Sequence, residues 1–299
     1  MATTKQWIGG ARPRTLPAAV SPVLAGTGAA VYADAAVWWK AALALVVALA
    51  LQVAVNYAND YSDGIRGTDD GRVGPVRLVG SGAASASGVR MAAFASFGVA
   101  ALAGVTLALT TTWWLLLVGA VCIVAAWYYT GGSKPYGYSG LGEASVFVFF
   151  GLVAVLGTCY VQVGRVPPGS VLVASGVGCL AVAILVVNNL RDIPTDLAAG
   201  KRTLAVRLGD RTSRDVYAGL HSAAYMFAFV AAWAQTWWLL LAAISLPLSV
   251  RAQVVVRRGA TGSALIPVLR YTGLTELAFA VGICAGYVIG SPPEGLAGL

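Results

Sequence analysis

The chain has 299 residues, 58% hydrophobic and 11% charged, with a net charge of +8. Soluble domains carry about 25% charged residues, so this composition excludes an ordinary water-soluble fold and points to a polytopic membrane protein in a lipid bilayer. The basic balance reads as sidedness in the membrane, with no nucleic-acid partner.

Nine apolar segments follow in chain order, at 15–33, 37–58, 91–110, 112–130, 142–163, 170–190, 216–234, 236–256 and 268–290. Each is near the ~20 residues of a helical span, so the expected fold class is all-α with nine transmembrane helices. The first segment has basic flanks like a signal peptide; the later spans favour an uncleaved helix. "TTTWWLL" and "WAQTWWLL" read as tight hairpins at one face, where tryptophan suits the headgroup boundary. Cys122, Cys159, Cys179 and Cys284 lie in apolar runs without CxxC or CxxH spacing, which predicts neither disulfides nor zinc.

With the N-terminus in the cytoplasm, 18 of the 20 basic residues fall on that side, and only Lys40 and Arg165 fall outside. The positive-inside rule therefore supports nine spans in this orientation. No long polar domain interrupts them, so residues 1–299 read as one domain with its aqueous chemistry at the cytoplasmic face of the cell membrane.

The second segment ends in "NYANDYSDGIRGTDD", four aspartates within eleven residues. On a continuing helix Asn56, Asp60 and Asp63 sit at about 0°, 40° and −20°, one narrow face. Stacked acceptors repel unless a cation lies between them. An oxygen-only set suggests magnesium completed by phosphates and water; helix capping and solvated loop charge is the plainer reading. The sixth segment ends "NNLRDIPTDLAAGKRT", placing Asn188, Asp192 and Asp196 in a matching pattern four spans later. This suggests a parallel repeat over 15–130 and 142–256, with 268–290 added. Pro194 should kink or break the helix and move Asp196 to another turn. A bridged polyanion needs nearby cations, and Arg66, Arg72, Arg77, Lys134, Arg191, Lys201 and Arg202 are candidates; membrane-surface charge is the alternative for each.

The ordered set "NYANDYSDGIRGTD", "GRVGPVRLVGSG", "YYTGGSKPYGYSGLGE" and "NNLRDIPTDLAAGKRTLAVRLG" resembles the UbiA superfamily of intramembrane aromatic prenyltransferases, over essentially the whole chain. Within it the naphthoate branch of menaquinone synthesis is most similar. The resemblance implies nine helices around a central cavity, a cytoplasmic cap, a lateral opening to lipid and Mg2+-dependent ionisation of a polyprenyl diphosphate. It implies transfer to 1,4-dihydroxy-2-naphthoate with loss of carbon dioxide and diphosphate, giving demethylmenaquinone.

By motif, Asp60, Asp63, Asp192 and Asp196 are the implied metal ligands and, with Lys134, the catalytic set. Asn56, Arg66, Arg72, Arg77, Tyr138, Asn188, Arg191, Lys201 and Arg14 are the implied substrate contacts, Arg14 for the acceptor carboxylate or as a topological anchor. The commoner family motif places its second aspartate at the position of Gly64, leaving Asp63 and Asp69 as alternatives for completing the site. Trp127, Tyr128 and Tyr129 read as a cavity wall or as an interfacial belt. His221 reads as interfacial, Glu143 as a helix-start charge, Glu276 as an acid held inside the bundle, and Gly282, Gly286 and Gly290 as a packing stripe. Other acceptors, 4-hydroxybenzoate or homogentisate, remain open, as does a secondary transporter with acidic motifs.

Overall fold

The computed structural model describes residues 2–67 and 77–291. A short helix, α1 (Thr4–Gly10), leads into α2 (Pro17–Tyr32). There follow α3 (Trp38–Ile65), α4 (Ala86–Leu109), α5 (Leu115–Tyr128), α6 (Gly142–Val163), α7 (Ser170–Ala198), α8 (Leu204–Ala234), α9 (Trp237–Arg257) and α10 (Gly262–Gly290). Every apolar segment read from the sequence coincides with a helix.

Seven of these helices are long and apolar enough to cross a membrane. An eighth span arises if the first two helices, bent by 48° at their junction, count as one. At 14 residues α5 is the exception, since it rises only about 21 Å against a hydrocarbon core of about 30 Å. None of its side chains is buried.

Small residues set the packing, as expected where lipid removes the hydrophobic drive between helices. Alanines of α2, α8 and α9 surround Val177, Leu180, Phe279 and Ile283 in the main core. A second cluster of Val186, Leu190, Tyr217, Val256 and Val268 closes the other end of α7. The glycine stripe of α10 lies on backbone: a Cβ at Gly282 would meet the Leu241 carbonyl at 2.4 Å, and one at Gly286 the Trp238 carbonyl at 2.4 Å.

Two local expectations change. The helix α7 runs through Pro194 to Ala198. Pro194 lies in the last turns, where its missing amide costs one bond to the Leu190 carbonyl and the remaining ladder closes. His221 is fully buried rather than interfacial, with Nδ1 2.7 Å from Ser249 Oγ.

Candidate active site

A cavity of about 1060 Å³ opens among α2 to α7 and the start of α10. Asp60, Asp63, Asp192 and Asp196 all line one end, and Val23, Leu107, Leu115 and Leu116 line the other. The ends are set by helix direction: α3 begins beside the end of α4, where Lys40 Nζ donates to the Thr110 carbonyl at 3.0 Å. The last turns of α3 and α7 therefore bring both motifs together at the far side.

The first motif ties distant segments to α3. Asn56 donates to the Ala11 carbonyl at 2.9 Å and to Thr15 Oγ1 at 3.1 Å, holding the segment before α2. Asp60 accepts the backbone amides of Leu78 and Val79 at 2.8 and 3.0 Å. Asp63 accepts from the Tyr138 hydroxyl, from Lys201 Nζ at 3.1 Å and from Arg77 Nη2 at 3.5 Å. Lys201 lies 4.5 Å over the Tyr138 ring, a cation–π contact.

The second motif draws contacts from within its own helix. Arg191 grips Asp192 with Nε and Nη2 at 2.6 and 2.7 Å, a bidentate charge-assisted pair. Its Nη2 also donates to Asn188 Oδ1 at 2.9 Å. Asp196 is half-buried in the cavity wall, and its carbonyl accepts the Lys201 amide at 2.8 Å.

Aromatic side chains line the middle of the cavity. Tyr129, Tyr136, Phe149 and Phe150 all face it. Tyr136 donates to the Ala125 carbonyl at 2.8 Å and lies 3.1 Å from Ser145 Oγ. Burial raises the pKa of this hydroxyl above the usual tyrosine value, and the Ser145 contact opposes the shift. Phe147–Val153 forms a wide π-helical stretch within α6, which carries both phenylalanines.

The family model for the UbiA prenyltransferase family matches residues 19–274. The chain belongs to that family. A relative from Mycobacterium tuberculosis named 1,4-dihydroxy-2-naphthoate octaprenyltransferase is 57% identical over 290 residues, 97% of this chain and 99% of the relative. One of the same name from Escherichia coli is 36% identical, covering 94% and 95%. Among solved structures, a UbiA homolog from Aeropyrum pernix K1 matches with a TM-score of 0.70 at 17% identity, over 89% of this chain and 96% of that one. A UbiA homolog from Archaeoglobus fulgidus, bound to GPP and Mg2+, matches with a TM-score of 0.66 at 14% identity, over 93% and 99%.

Against this UbiA frame the residues expected from the sequence divide. Asn56, Asp60, Asp63, Arg77, Tyr138, Asn188, Arg191, Asp192, Asp196 and Lys201 line the common cavity, and Arg14 stands at its edge. Lys134 is exposed and apart from the lining; Lys201 is the lysine that reaches Asp63. Arg66 also faces away from the lining. Its guanidinium donates to the carbonyls of Ser62 at 3.2 Å and Thr130 at 2.6 Å, and to that of Gly132, clamping the end of α3 to the loop after α5. Arg72 and Asp69 lie outside the described residues. Of the aromatic triplet, Tyr129 enters the cavity, Trp127 stacks on Phe94 at 4.8 Å, and Tyr128 is exposed.

Among the described residues no three His, Cys, Asp or Glu side chains converge as a ready metal cage. Asn59, Asn189, Phe149 and Phe150 line the cavity without having been singled out from the sequence. The phenylalanines sit in an unbroken apolar run, where only the placement of α6 distinguishes lining from lipid-facing positions.

Proposed function

We infer that the chain transfers a polyprenyl group from polyprenyl diphosphate to 1,4-dihydroxy-2-naphthoate, releasing carbon dioxide and diphosphate and giving demethylmenaquinone. The observation that carries the reaction class is the polarity of the cavity. Its four motif carboxylates and three of its cations, Arg77, Arg191 and Lys201, gather at one end, and an aromatic and aliphatic channel fills the rest. That division matches a diphosphate head and a long isoprenoid tail. The acceptor is supported by full-length likeness to relatives of that name.

The donors at the charged end are carboxylates and amides, hard oxygen ligands. A few carboxylates per ion, completed by phosphate and water, suit magnesium better than an all-protein cage does. Asp60, Asp63, Asp192 and Asp196 would hold it; Mg2+, when bound, supplies positive charge for the departing diphosphate. Arg77, Arg191 and Lys201, each now on or beside a carboxylate, would transfer hydrogen bonds to phosphate oxygens. Tyr129, Phe149 and Phe150 would face the allylic cation with their ring quadrupoles. The dry wall would exclude the water that would otherwise capture it. Arg14 at the cavity edge would hold the acceptor carboxylate.

We further propose nine spans in two four-helix halves plus a ninth helix, with α5 completed by its flanking turns, and a capped active site on the cytoplasmic side. The basic residues of the loops at the charged end support this orientation. Reporter fusions after residues 135 and 205 should both read as cytoplasmic; an outer signal at either refutes the orientation. Purified protein should prenylate 1,4-dihydroxy-2-naphthoate far faster than 4-hydroxybenzoate and release one carbon dioxide per product. Retention of the carboxylate in the product refutes the acceptor assignment.

A further inference from the structure

Asn189 and Glu143 stand outside both motifs. Each is only 8% exposed. Asn189 lines the cavity, whereas Glu143, at the start of α6, lies behind it. Asn189 Nδ2 donates to Glu143 Oε1 at 3.0 Å. Glu143 Oε2 has no hydrogen-bond partner among the described residues.

This contact decides how the amide is turned. An ionised carboxylate only accepts, so it takes the NH2 of the amide and leaves the carbonyl oxygen on the other side. The neighbouring Asn188 is committed to Arg191 and the charged end. Asn189 lies three residues before Asp192, about 4.5 Å further along the helix from that end. Tyr129 shares this stretch of wall: a Cβ on Gly142 would lie 3.0 Å from its hydroxyl oxygen.

We propose that Asn189, oriented by Glu143, is the acceptor-positioning contact, receiving the O–H of a phenolic hydroxyl on the aromatic substrate through Oδ1. The amide is neutral, so it offers a hydrogen-bond acceptor without adding charge to the four aspartates at the cavity's charged end. Glu143 is thus a positioning residue, and Asn189 touches the substrate. The inference rests on the prenyltransferase reading above.

The test is a double-variant cycle, with KM measured separately for 1,4-dihydroxy-2-naphthoate and for the prenyl diphosphate. Glu143→Gln can accept from Asn189 or donate to it, so the amide of Asn189 is no longer held in a single orientation. Asn189→Asp sets two carboxylates face to face. Asn189→Asp should raise the naphthoate KM about tenfold, the scale of one lost hydrogen bond, and Glu143→Gln about threefold, with the diphosphate KM changed less than about twofold.

The double variant combines Glu143→Gln with Asn189→Asp. The amide introduced at position 143 then donates to the carboxylate introduced at position 189, so the bond is re-formed with its direction reversed. The second carboxylate oxygen again faces the substrate as an acceptor. The naphthoate KM should return to within about threefold of wild type. Both KM values rising together, or additive losses in the double variant, would overturn the inference.

Should the single variants fail to accumulate, the wild type is assayed with the two monomethyl ethers of the acceptor. The ether that blocks the bonded hydroxyl should bind about tenfold more weakly than the other. Equal binding of the two overturns the proposal. If the wild type prenylates a different phenol instead, the acceptor assignment fails by itself, and the same KM comparison with that phenol judges Asn189.

Discussion

Asp63 and Asp192 hold comparable places in their motifs, yet their partners come from different distances along the chain. Asp63 is met by Arg77, Tyr138 and Lys201, which are 14, 75 and 138 residues away. Asp192 is met by the adjacent Arg191, and Asn188 by the same guanidinium three residues on. The end of α3 is therefore a junction, completed only when loops dock. The Arg191 grip on Asp192 and Asn188 forms within the last turns of α7 itself. A common residue pattern can thus gather distant segments at one helix end and carry a clamp built within the helix at another.

The sharpest test of whether the two form one site is loss of either. Asp63→Ala and Asp192→Ala should each lower kcat/KM by about 10³-fold or more, the scale seen when transition-state electrostatics are removed. Chelation with EDTA should abolish turnover, and magnesium should restore it. Near-normal activity in either variant would break the pairing of the motifs.

The next test separates local from long-range support. Arg191→Met leaves Asp192 buried without its bidentate partner and should cost about 3–5 kcal/mol. Lys201→Met leaves Asp63 with Arg77 and Tyr138, so a loss of about 1–3 kcal/mol is expected. Thermal unfolding in detergent measures both, and equal losses would erase the contrast.

A smaller effect is expected where the junction holds the segment before α2. Asn56→Ala removes two donated hydrogen bonds, with a loss of about 1–2 kcal/mol and faster proteolysis near residues 11–15. The least effect belongs to Lys134→Ala. Its exposed side chain predicts stability within about 0.5 kcal/mol of wild type and kcat/KM within about twofold. A large fall in activity would return Lys134 to the site.

The contrast also explains what the sequence made readable. Hydropathy marked α2 to α10 but not the short α1, because lipid demands long apolar runs. The carboxylates stood out, because charge is costly beside a membrane. Spacing on one helix then grouped Asn56, Asp60 and Asp63 on one cavity face, where they lie. It could not show that Asp60 would accept the amides of Leu78 and Val79, since backbone donors leave no mark in side-chain pattern. Nor could it choose Lys201 over Lys134, because the choice depends on how the turn after α7 folds back. Pro194 misled for a related reason: its local penalty is real, but the surrounding helix continues around it.

The π-helical stretch in α6 has a consequence for chain length. A wide turn carries an extra residue, and each helical residue turns the chain by about 100°. Deleting one residue from 147–153 would close the stretch into an α-helix and swing the preceding segment by roughly that angle. Glu143 would leave Asn189, while 154–163 stayed seated on α2. At Gly151 the spacing is already tight, since a Cβ there would come within 2.6 Å of the Gly178 Cα. A related chain could vary many side chains in this wall and keep its shape, but a single-residue deletion would put the two ends of α6 out of register.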